Sequence, residues 1–170
     1  MNISHAELLE RFNYNSETGE FFHKVSVRRV RAGDLAGLFI GRYRFLKVRS
    51  RIFPASRVAW FYIHGVYPNQ EIDHINMDPA DNRISNLRLS TRSQQMCNRG
   101  PNCTNKSGYK GVFYDKKRGL FSASVTINKK CKWLGYFKSA ECAAIAYNEA
   151  ATLLQGEFAR PSILGPALCQ

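Results

Sequence analysis

The sequence predicts an α+β protein built from small antiparallel sheets and short helices. Its 170 residues are 44% apolar, a share that is typical of folded domains. Glycine-punctuated alternation of apolar and polar residues predicts strands in the first third of the chain. Two short apolar segments around an Asn-rich loop predict a central ββα unit, and a last group of strands precedes one alanine-rich helix.

Residues 1–55 are predicted to form a β-rich basic region. HAELLERF predicts a short amphipathic helix, and YNSETGEFFHKV predicts a hairpin with a Ser-Glu-Thr-Gly turn. The alternating stretch RYRFLKVRSRIF predicts a half-buried sheet with a basic outer face. We interpret Arg42, Arg44 and Arg49 as contacts to a DNA backbone, with a solvated surface as the alternative.

Residues 56–100 are predicted to hold the ββα unit behind a buried helix. SRVAWFYIHG predicts that helix, with Ser56 as its N-cap and Gly65 as its end. EIDHIN and LRLST predict the two strands, and RSQQMCNR predicts the short helix. The segment INMDPADNRISN is rich in Asn, Asp and Pro and is predicted to be the loop between the strands.

The last part of the chain is predicted to be a linker over residues 101–108, a domain over 109–160 and a tail over 161–170. The domain is interpreted as a three-stranded antiparallel sheet packed on one helix, which Ser139 caps and Gly156 ends. Small residues on one face of this helix allow it to lie close to the sheet. The strands are predicted at residues 109–114, 120–128 and 131–137.

The distribution of charge predicts a polyanionic partner. The net charge is +12 and the isoelectric point is about 9.8. Residues 23–60 carry ten Lys or Arg and one acid, and residues 101–170 carry ten against four acids, whereas residues 61–100 are balanced. Two basic blocks therefore flank a neutral centre, as expected of a protein that holds nucleic acid on both sides of a reactive site; solubility alone is the alternative.

Cysteine usage and hydropathy predict a cytoplasmic protein that is not secreted. The five cysteines are odd in number and form no C-x-x-C pair, so we expect neither a disulfide framework nor a structural zinc site. MNISHAELLERF has no signal-peptide pattern, and no apolar run approaches the roughly 20 residues that span a bilayer. No obligate protein partner is evident. The cysteines stand at 97, 103, 131, 142 and 169.

The adjacent pair Asp73-His74 offers the two groups that phosphodiester hydrolysis requires. A hard divalent cation held by a carboxylate can stabilise the transition state and the leaving oxygen. A neutral imidazole can take a proton from the attacking water. On a strand the two side chains would point to opposite faces, so a strand end or bulge must bring both into one site. Ordinary turn residues are the alternative interpretation.

DHIN followed by DNRISNLRLSTRSQ resembles the HNH nuclease family, which has a ββα-metal fold. The resemblance implies that Asp73 ligates the metal, that His74 is the general base and that Asn86 orients the imidazole. The cation is expected to be Mg²⁺, with Mn²⁺ as an alternative, because carboxylate and amide oxygens suit hard ions. Three arginines are expected to meet phosphates: Arg83, Arg88 and Arg92.

One position departs from this family pattern. Family members of this type usually carry, in the helix, a metal-ligating Asn where this chain has Gln95. Glutamine keeps the carbonyl oxygen but reaches one methylene further. Asn98 lies three residues on, on the same helix face, so either side chain can be the second ligand, or the site is a degenerate one that no longer cuts.

Residues 107–162 resemble the DNA-binding domain of plant ethylene-response factors of the Apetala type. The resemblance rests on YKGV, WLGYF and the Ala-rich helix, and it implies a sheet that lies in the major groove. Lys110 and Trp133 stand at matching positions, although sheet core is the alternative for Trp133. The base-reading arginines are replaced, which indicates a grip dominated by phosphate contacts. Additional cations near the turns are Lys116, Lys117, Arg118, Lys129, Lys130 and Lys132.

The leading hypothesis is therefore a metal-dependent endonuclease acting on double-stranded DNA. A homing or mobile-element role, as in phages, follows from the resemblance alone. A catalytically inactive DNA-binding protein or regulator on the same fold is one alternative. An RNA-binding protein is another, although it explains the charge and leaves the Asp-His-Asn set unexplained.

Overall fold

The computed structural model describes residues 3–102 and 104–163, and the chain divides into two compact units, Met1–Ser90 and Thr91–Gln170. Within the described residues there are four α-helices and four small antiparallel sheets, so the α+β class is confirmed. None of these helices is long and apolar enough to cross a membrane. The five-part division of the chain stays a prediction, and the predictions on Cys103, Cys169 and residues 164–170 lie outside the described ranges.

The first unit begins with a capped helix and a hairpin. The Ser4 hydroxyl accepts a hydrogen bond from the Glu7 backbone N–H and starts the helix. The hairpin turn ends at Gly19, which has a φ of +74°. A third strand extends the hairpin, with order β1-β2-β3. The elements are α1 (His5–Arg11), β1 (Phe12–Asn15), β2 (Glu20–His23) and β3 (Leu35–Ala36).

The next sheet has an apolar outer face, so the prediction of a basic outer face was wrong. It consists of β4 (Leu38–Ile40), β5 (Tyr43–Val48) and β6 (Arg51–Pro54). Leu46 and Val48 are buried, and the pleat places Arg44 on their side of β5. The residues of the other side that contact solvent are mostly apolar: Leu38, Ile40, Tyr43, Lys47 and Ile52.

Two of the three arginines expected on that face form ion pairs inside the unit. The Arg44 guanidinium lies 3.4 Å from a Glu20 carboxylate oxygen. Arg49 lies in the turn between β5 and β6 and lies 2.6 Å from a carboxylate oxygen of Glu7. Arg42 is exposed in the turn before β5. Alternation along β5 left two possible faces for Arg44, and the prediction chose the wrong one.

A buried helix, α2 (Ala55–His64), follows the sheet directly. Its N-cap position is Pro54, and Ser56 is buried inside the helix, so the predicted Ser56 cap was wrong. Strand β6 runs straight into the helix, which leaves no loop for a capping side chain. The helix ends at Gly65, whose φ of 69° is left-handed, as predicted. Val58 and Ala59 are fully buried in the core of this unit.

The central ribbon pairs β7 (Glu71–His74) with β8 (Leu87–Ser90) in antiparallel register. A single turn of 3-10 helix, Ile84–Asn86, leads into β8. Asp73 lies opposite Arg88 across the ribbon. Leu87 is buried in the same core as α2, so the ribbon is anchored beside the helix that precedes it in the sequence.

The second unit begins with α3 (Arg92–Asn98), which follows β8 directly along the chain. Thr91 and Gln94 form a capping box at its start. The predicted short helix is therefore confirmed. Its place in a ββα unit stays a prediction, because the ribbon belongs to the first unit and the helix to the second.

A three-stranded antiparallel sheet and one long helix complete the second unit. The sheet order is β11-β10-β9, and Ser139 caps the helix with its hydroxyl, as predicted. Gly156 ends the helix, also as predicted. Ala143 and Ala144 pack against the sheet in one buried cluster. The elements are β9 (Val112–Asp115), β10 (Leu120–Ile127), β11 (Lys130–Phe137) and α4 (Ala140–Gln155).

Candidate active site

Asp73 and His74 occupy the end of β7, where the regular strand stops. Asp73 is buried, with 8% of its surface exposed, and His74 is half-buried as the last residue of the strand. Both residues still pair across the ribbon, Asp73 with Arg88 and His74 with Leu87, so the expected meeting of the two side chains in one site stays a prediction. The chain then enters the polar loop that leads to β8.

Asn86 holds this loop closed. Its Oδ1 accepts a hydrogen bond from the Asn76 backbone N–H at 3.0 Å. Its Nδ2 donates to the Asn76 side-chain oxygen and to the Asp81 carbonyl, both at 2.9 Å. Three hydrogen bonds from one buried amide fix the path of the chain between the two strands. The direct orientation of the imidazole by Asn86 stays a prediction.

One side chain that contacts the imidazole is Asn82. Its Oδ1 lies 3.3 Å from His74 Nε2, and its Nδ2 donates to the Ala80 carbonyl at 3.1 Å. Because that amide hydrogen bond fixes which end of the side chain is oxygen, Oδ1 faces the imidazole as an acceptor. An acceptor at this place favours the tautomer in which Nε2 carries the proton and Nδ1 carries the lone pair.

The sequence offered no clear signal for this role of Asn82. It stands eight residues after His74, among several Asn and Asp residues that read as turn formers. Asn82 is more deeply buried than the other Asn and Asp residues of this loop, with 1% of its surface exposed. A polar side chain in a loop is rarely buried without a partner, and here the partner is the proposed catalytic group.

The N-terminal hairpin supports the backbone at Asn82. The Tyr14 hydroxyl donates to the Asn82 carbonyl at 2.7 Å, and burial raises the pKa of Tyr14 to about 12. Gly19 packs against the backbone of the loop, since a Cβ added there would fall 2.4 Å from the Arg83 backbone nitrogen and 2.5 Å from the Asn82 carbonyl carbon. The hairpin of β1 and β2 therefore helps to position the loop of the candidate site.

Arg83 is held along the same loop by an acid. Its guanidinium donates to both carboxylate oxygens of Asp81, at 2.8 and 2.6 Å. These hydrogen bonds from Arg83 lower the pKa of Asp81 to about 2. Asp81 also accepts from the Asn76 side chain at 2.7 Å. Arg83 is exposed, and its predicted contact with a phosphate stays a prediction.

Arg88 forms an ion pair with the predicted metal ligand. Its Nε and Nη2 lie 2.9 and 2.8 Å from the same oxygen of Asp73, Oδ2. The two side chains are 13% and 10% exposed, so solvent screens this pair only weakly. The structure thus places Arg88 on the carboxylate itself, whereas the sequence predicted a phosphate contact.

The donor set fits a hard divalent cation that keeps several of its waters. Such an ion needs only one or two carboxylate or amide oxygens from the protein. Among the described residues no group of three or more His, Cys, Asp or Glu could hold a metal. Asp73 can supply its Oδ2 atom if Arg88 moves away from that atom. Gln95 is half-buried and Asn98 buried on α3, and their assignment as ligands stays a prediction, as does the phosphate contact of exposed Arg92.

The sheet of the second unit exposes a large aromatic side chain among cations. Trp133 is 60% exposed, so the sheet-core alternative for this residue was wrong. The centroid of its ring lies 5.4 Å from that of the Tyr136 ring. The Arg118 guanidinium carbon also lies over the Tyr136 ring, 4.6 Å from its centroid. The six cations predicted near the turns are exposed: Lys116, Lys117, Arg118, Lys129, Lys130 and Lys132.

Lys110 differs from these exposed cations. Its Nζ donates to the Cys97 carbonyl in the last turn of α3, a favourable place for a cation. Burial lowers the pKa of Lys110 to about 8. A pocket of about 670 Å³ lies beside it and includes Arg99, Phe113 and Lys116 in its lining. The DNA contact predicted for Lys110 stays a prediction.

Comparison with known proteins places the motif in a family. A family model described as HNH endonuclease matches residues 53–97. Protein 3.8 of Escherichia phage T7 is 30% identical over 103 residues, which are 60% of this chain and 84% of that protein. An uncharacterized HNH endonuclease of Acanthamoeba polyphaga mimivirus is 34% identical over 101 residues, which are 59% of this chain and 51% of that protein. No solved structure matches.

The matched segment begins in β6 and ends in α3, so it contains the Asp73-His74 pair, the Asn-rich loop and β8. The chain spans about half the length of the mimivirus relative and most of the phage protein. The resemblance of the second unit to plant ethylene-response factors lies beyond the matched segment and stays a prediction. The family match and the mimivirus relative together show that the segment around Asp73-His74 is that of an HNH endonuclease.

Proposed function

We propose that this chain hydrolyses phosphodiester bonds of double-stranded DNA, with His74 as the general base and a cation held by Asp73. The observation that carries the proposal is the contact between His74 Nε2 and the buried Asn82 amide oxygen at 3.3 Å. A histidine that is merely solvated needs no such buried acceptor. A general base does, because the contact selects one tautomer and one ring orientation.

The residues divide the work as follows. Asn82 holds the His74 ring by Nε2, so Nδ1 takes the proton of the attacking water. Asn86 keeps the loop closed around Asn82 through its bonds to Asn76 and Asp81. A Mg²⁺ or Mn²⁺ ion bound by Asp73, with Gln95 or Asn98 as a second ligand, would stabilise the negative charge on the phosphate and on the leaving oxygen.

The duplex is held by cations that project into solvent. The exposed lysines and arginine of the second unit supply sequence-independent contacts to phosphates, and exposed Trp133 adds an aromatic surface beside them. Arg42 and Arg92 are exposed and serve the same purpose in this proposal, whereas exposed Arg83 is already paired with Asp81. Arg44 and Arg49 already have acidic partners and contribute less.

The proposal includes a biological setting. Both relatives are encoded by viruses, which supports a role in a phage or another mobile element, including homing. The enzyme would act on DNA in the cytoplasm of a bacterial or phage-infected cell.

The test is the conversion of supercoiled plasmid to nicked or linear DNA by the full chain. Wild type is compared with His74→Ala in Mg²⁺, in Mn²⁺ and in EDTA. Cutting that requires the cation and disappears in His74→Ala, while DNA affinity is unchanged, supports the proposal. Equal cutting by the two proteins, or cutting in EDTA, would refute the assigned chemistry.

A second candidate is a DNA-binding protein that no longer cuts. The Arg88 ion pair favours it, because Asp73 is already neutralised by a side chain. Gln95 in place of the usual Asn favours it as well. Under this alternative wild type binds plasmid without cutting it, and Gln95→Asn restores cutting if the metal site alone is at fault.

A further inference from the structure

Asp73 carries a bound cation of its own in the form of the Arg88 guanidinium. Antiparallel pairing places the two residues directly opposite each other on β7 and β8. Two nitrogens of the guanidinium, Nε and Nη2, converge on one carboxylate oxygen at 2.9 and 2.8 Å. Hydrogen bonds between two charged groups are about twice as strong as neutral ones. The ion pair is therefore held both by the register of the two strands and by two charge-assisted hydrogen bonds.

A metal ion on Oδ2 of Asp73 would compete with this guanidinium for that oxygen. A Mg²⁺ or Mn²⁺ ion binds a carboxylate oxygen at about 2.1 Å, so a cation on Oδ2 would lie about 4 Å from the guanidinium. Because both side chains are nearly buried, water screens the repulsion between the two cations only weakly.

We propose that Arg88 is a resident counter-cation of the metal site, which a divalent ion displaces from Oδ2 of Asp73 when it binds there. This inference rests on the proposed function, since it assumes that Asp73 is the metal ligand. It makes the site weak for metal in the absence of DNA. A phosphodiester beside the ribbon gives the displaced guanidinium a new anionic partner, so DNA and metal binding support each other.

The proposal assigns Arg88 a role that differs from that of an ordinary structural arginine. If Arg88 only stabilised the fold, its removal would weaken metal binding or leave it unchanged. If Arg88 competes with the metal, its removal tightens metal binding. The direction of the change therefore separates the two roles.

The test is Mn²⁺ binding to the full chain without DNA, measured by isothermal titration calorimetry. The proteins are wild type, Arg88→Gln and the control Arg51→Gln, which removes an exposed arginine of the same unit. Arg88→Gln is expected to bind Mn²⁺ about tenfold more tightly or better, the equivalent of one lost charge-assisted contact. Arg51→Gln is expected to stay within about twofold of wild type, since exposed charges are strongly screened.

Unchanged or weaker Mn²⁺ binding in folded Arg88→Gln would overturn the proposal. Arg88→Lys keeps the charge but loses the paired donors, and it is expected to fall between wild type and Arg88→Gln. If Arg88→Gln fails to fold by circular dichroism, Arg88→Lys decides: tighter binding supports competition, and unchanged or weaker binding overturns it.

Asp73→Asn separates this inference from the function on which it rests. If Asp73→Asn loses Mn²⁺ binding and Arg88→Gln binds Mn²⁺ no more tightly than wild type, Asp73 is a metal ligand but Arg88 does not compete with the metal. Mn²⁺ binding that is indifferent to Asp73→Asn would show that the proposed metal ligand is itself wrong.

Discussion

The imidazole of His74 is held by a residue that no sequence motif identifies. Adjacent Asp73 and His74 could be recognised from the printed sequence because their chemistry is complementary and their order is local. Asn82 and Arg88 could not be assigned in this way. Their roles depend on the path of the loop, which the hydrogen bonds of Asn86 fix, and on the register of the two strands.

Replacing Asn82 by Ala should slow cleavage without weakening DNA binding. The change removes the acceptor at His74 Nε2 and frees the ring to adopt the wrong tautomer. Loss of a partner that orients a catalytic histidine lowers activity by about 10- to 100-fold. Single-turnover plasmid cleavage measures the rate. Asn69→Ala, at an exposed position of the same unit, is the control, and an equal loss in both variants would contradict the role of Asn82.

Lys110 should make the second unit more stable as the pH rises above 8. Burial lowers its folded pKa to about 8 from 10.5, so the unfolded chain binds more protons between these values. Stability linked to this group is lost as the pH falls through 8 and is fully present above 10.5. Urea unfolding at pH 7.5 and 9.5 measures the change. The difference in the free energy of unfolding between the two pH values should be smaller in Lys110→Met than in wild type. An unaltered difference would contradict the lowered pKa of Lys110.

At the scale of elements, helix ends that depend on the capping residue itself could be predicted from the sequence. Helix ends that depend on the element next to the helix could not. Ser139 and Gly65 sit where the chain leaves regular structure, so their own chemistry decides the boundary. Ser56 has an equally good capping side chain, but β6 runs into α2 without a loop and the helix has already begun. Likewise, alternation in β5 showed two faces, and tertiary packing decided that the face with Arg44 points inward.

The hairpin between β1 and β2 is expected to be intolerant of a side chain at Gly19. Gly19→Ala adds a Cβ that would lie within 2.9 Å of backbone atoms of Asn82 and Arg83. A non-Gly residue at positive φ costs about 1 to 3 kcal/mol of stability, and this clash adds to it. Gly41→Ala is the matched control, since Gly41 has a φ of +60° and no atom within 4 Å of its added Cβ.

Urea unfolding gives the cost of each glycine substitution, and the cost of Gly19→Ala should exceed that of Gly41→Ala. Cleavage should fall in Gly19→Ala alone, because only that turn supports the backbone of Asn82. Equal stability and activity in the two variants would show that the hairpin does not position the loop.

At the scale of the whole molecule, the two basic blocks around a neutral centre predict strongly salt-dependent DNA binding. Each phosphate contact adds about 0.9 to the magnitude of the slope of log affinity against log salt. Replacing Lys116, Lys117 and Arg118 by Gln should therefore reduce that magnitude, by up to about 3. Arg44→Gln should leave the slope unchanged, because Glu20 already pairs with Arg44. Fluorescence anisotropy with a labelled duplex measures the slopes.

The reverse pattern would contradict this division of the cations. A flatter slope in Arg44→Gln, with no effect of the three exposed substitutions, would place the DNA on the first unit alone. The overall charge that predicts DNA binding is visible in composition. Which cations are available depends on ion pairs such as Arg44–Glu20 and Arg49–Glu7, which join residues far apart in the sequence.

The central claim is that the His74 imidazole takes a proton from water at a phosphodiester. The most direct test is chemical rescue of His74→Gly, with the protein in excess over supercoiled plasmid so that all DNA is bound. Loss of a general base should slow cutting by about 10² to 10⁴-fold, and added imidazole should restore part of the rate by filling the vacated position. Cutting by His74→Gly at the wild-type rate would contradict the account.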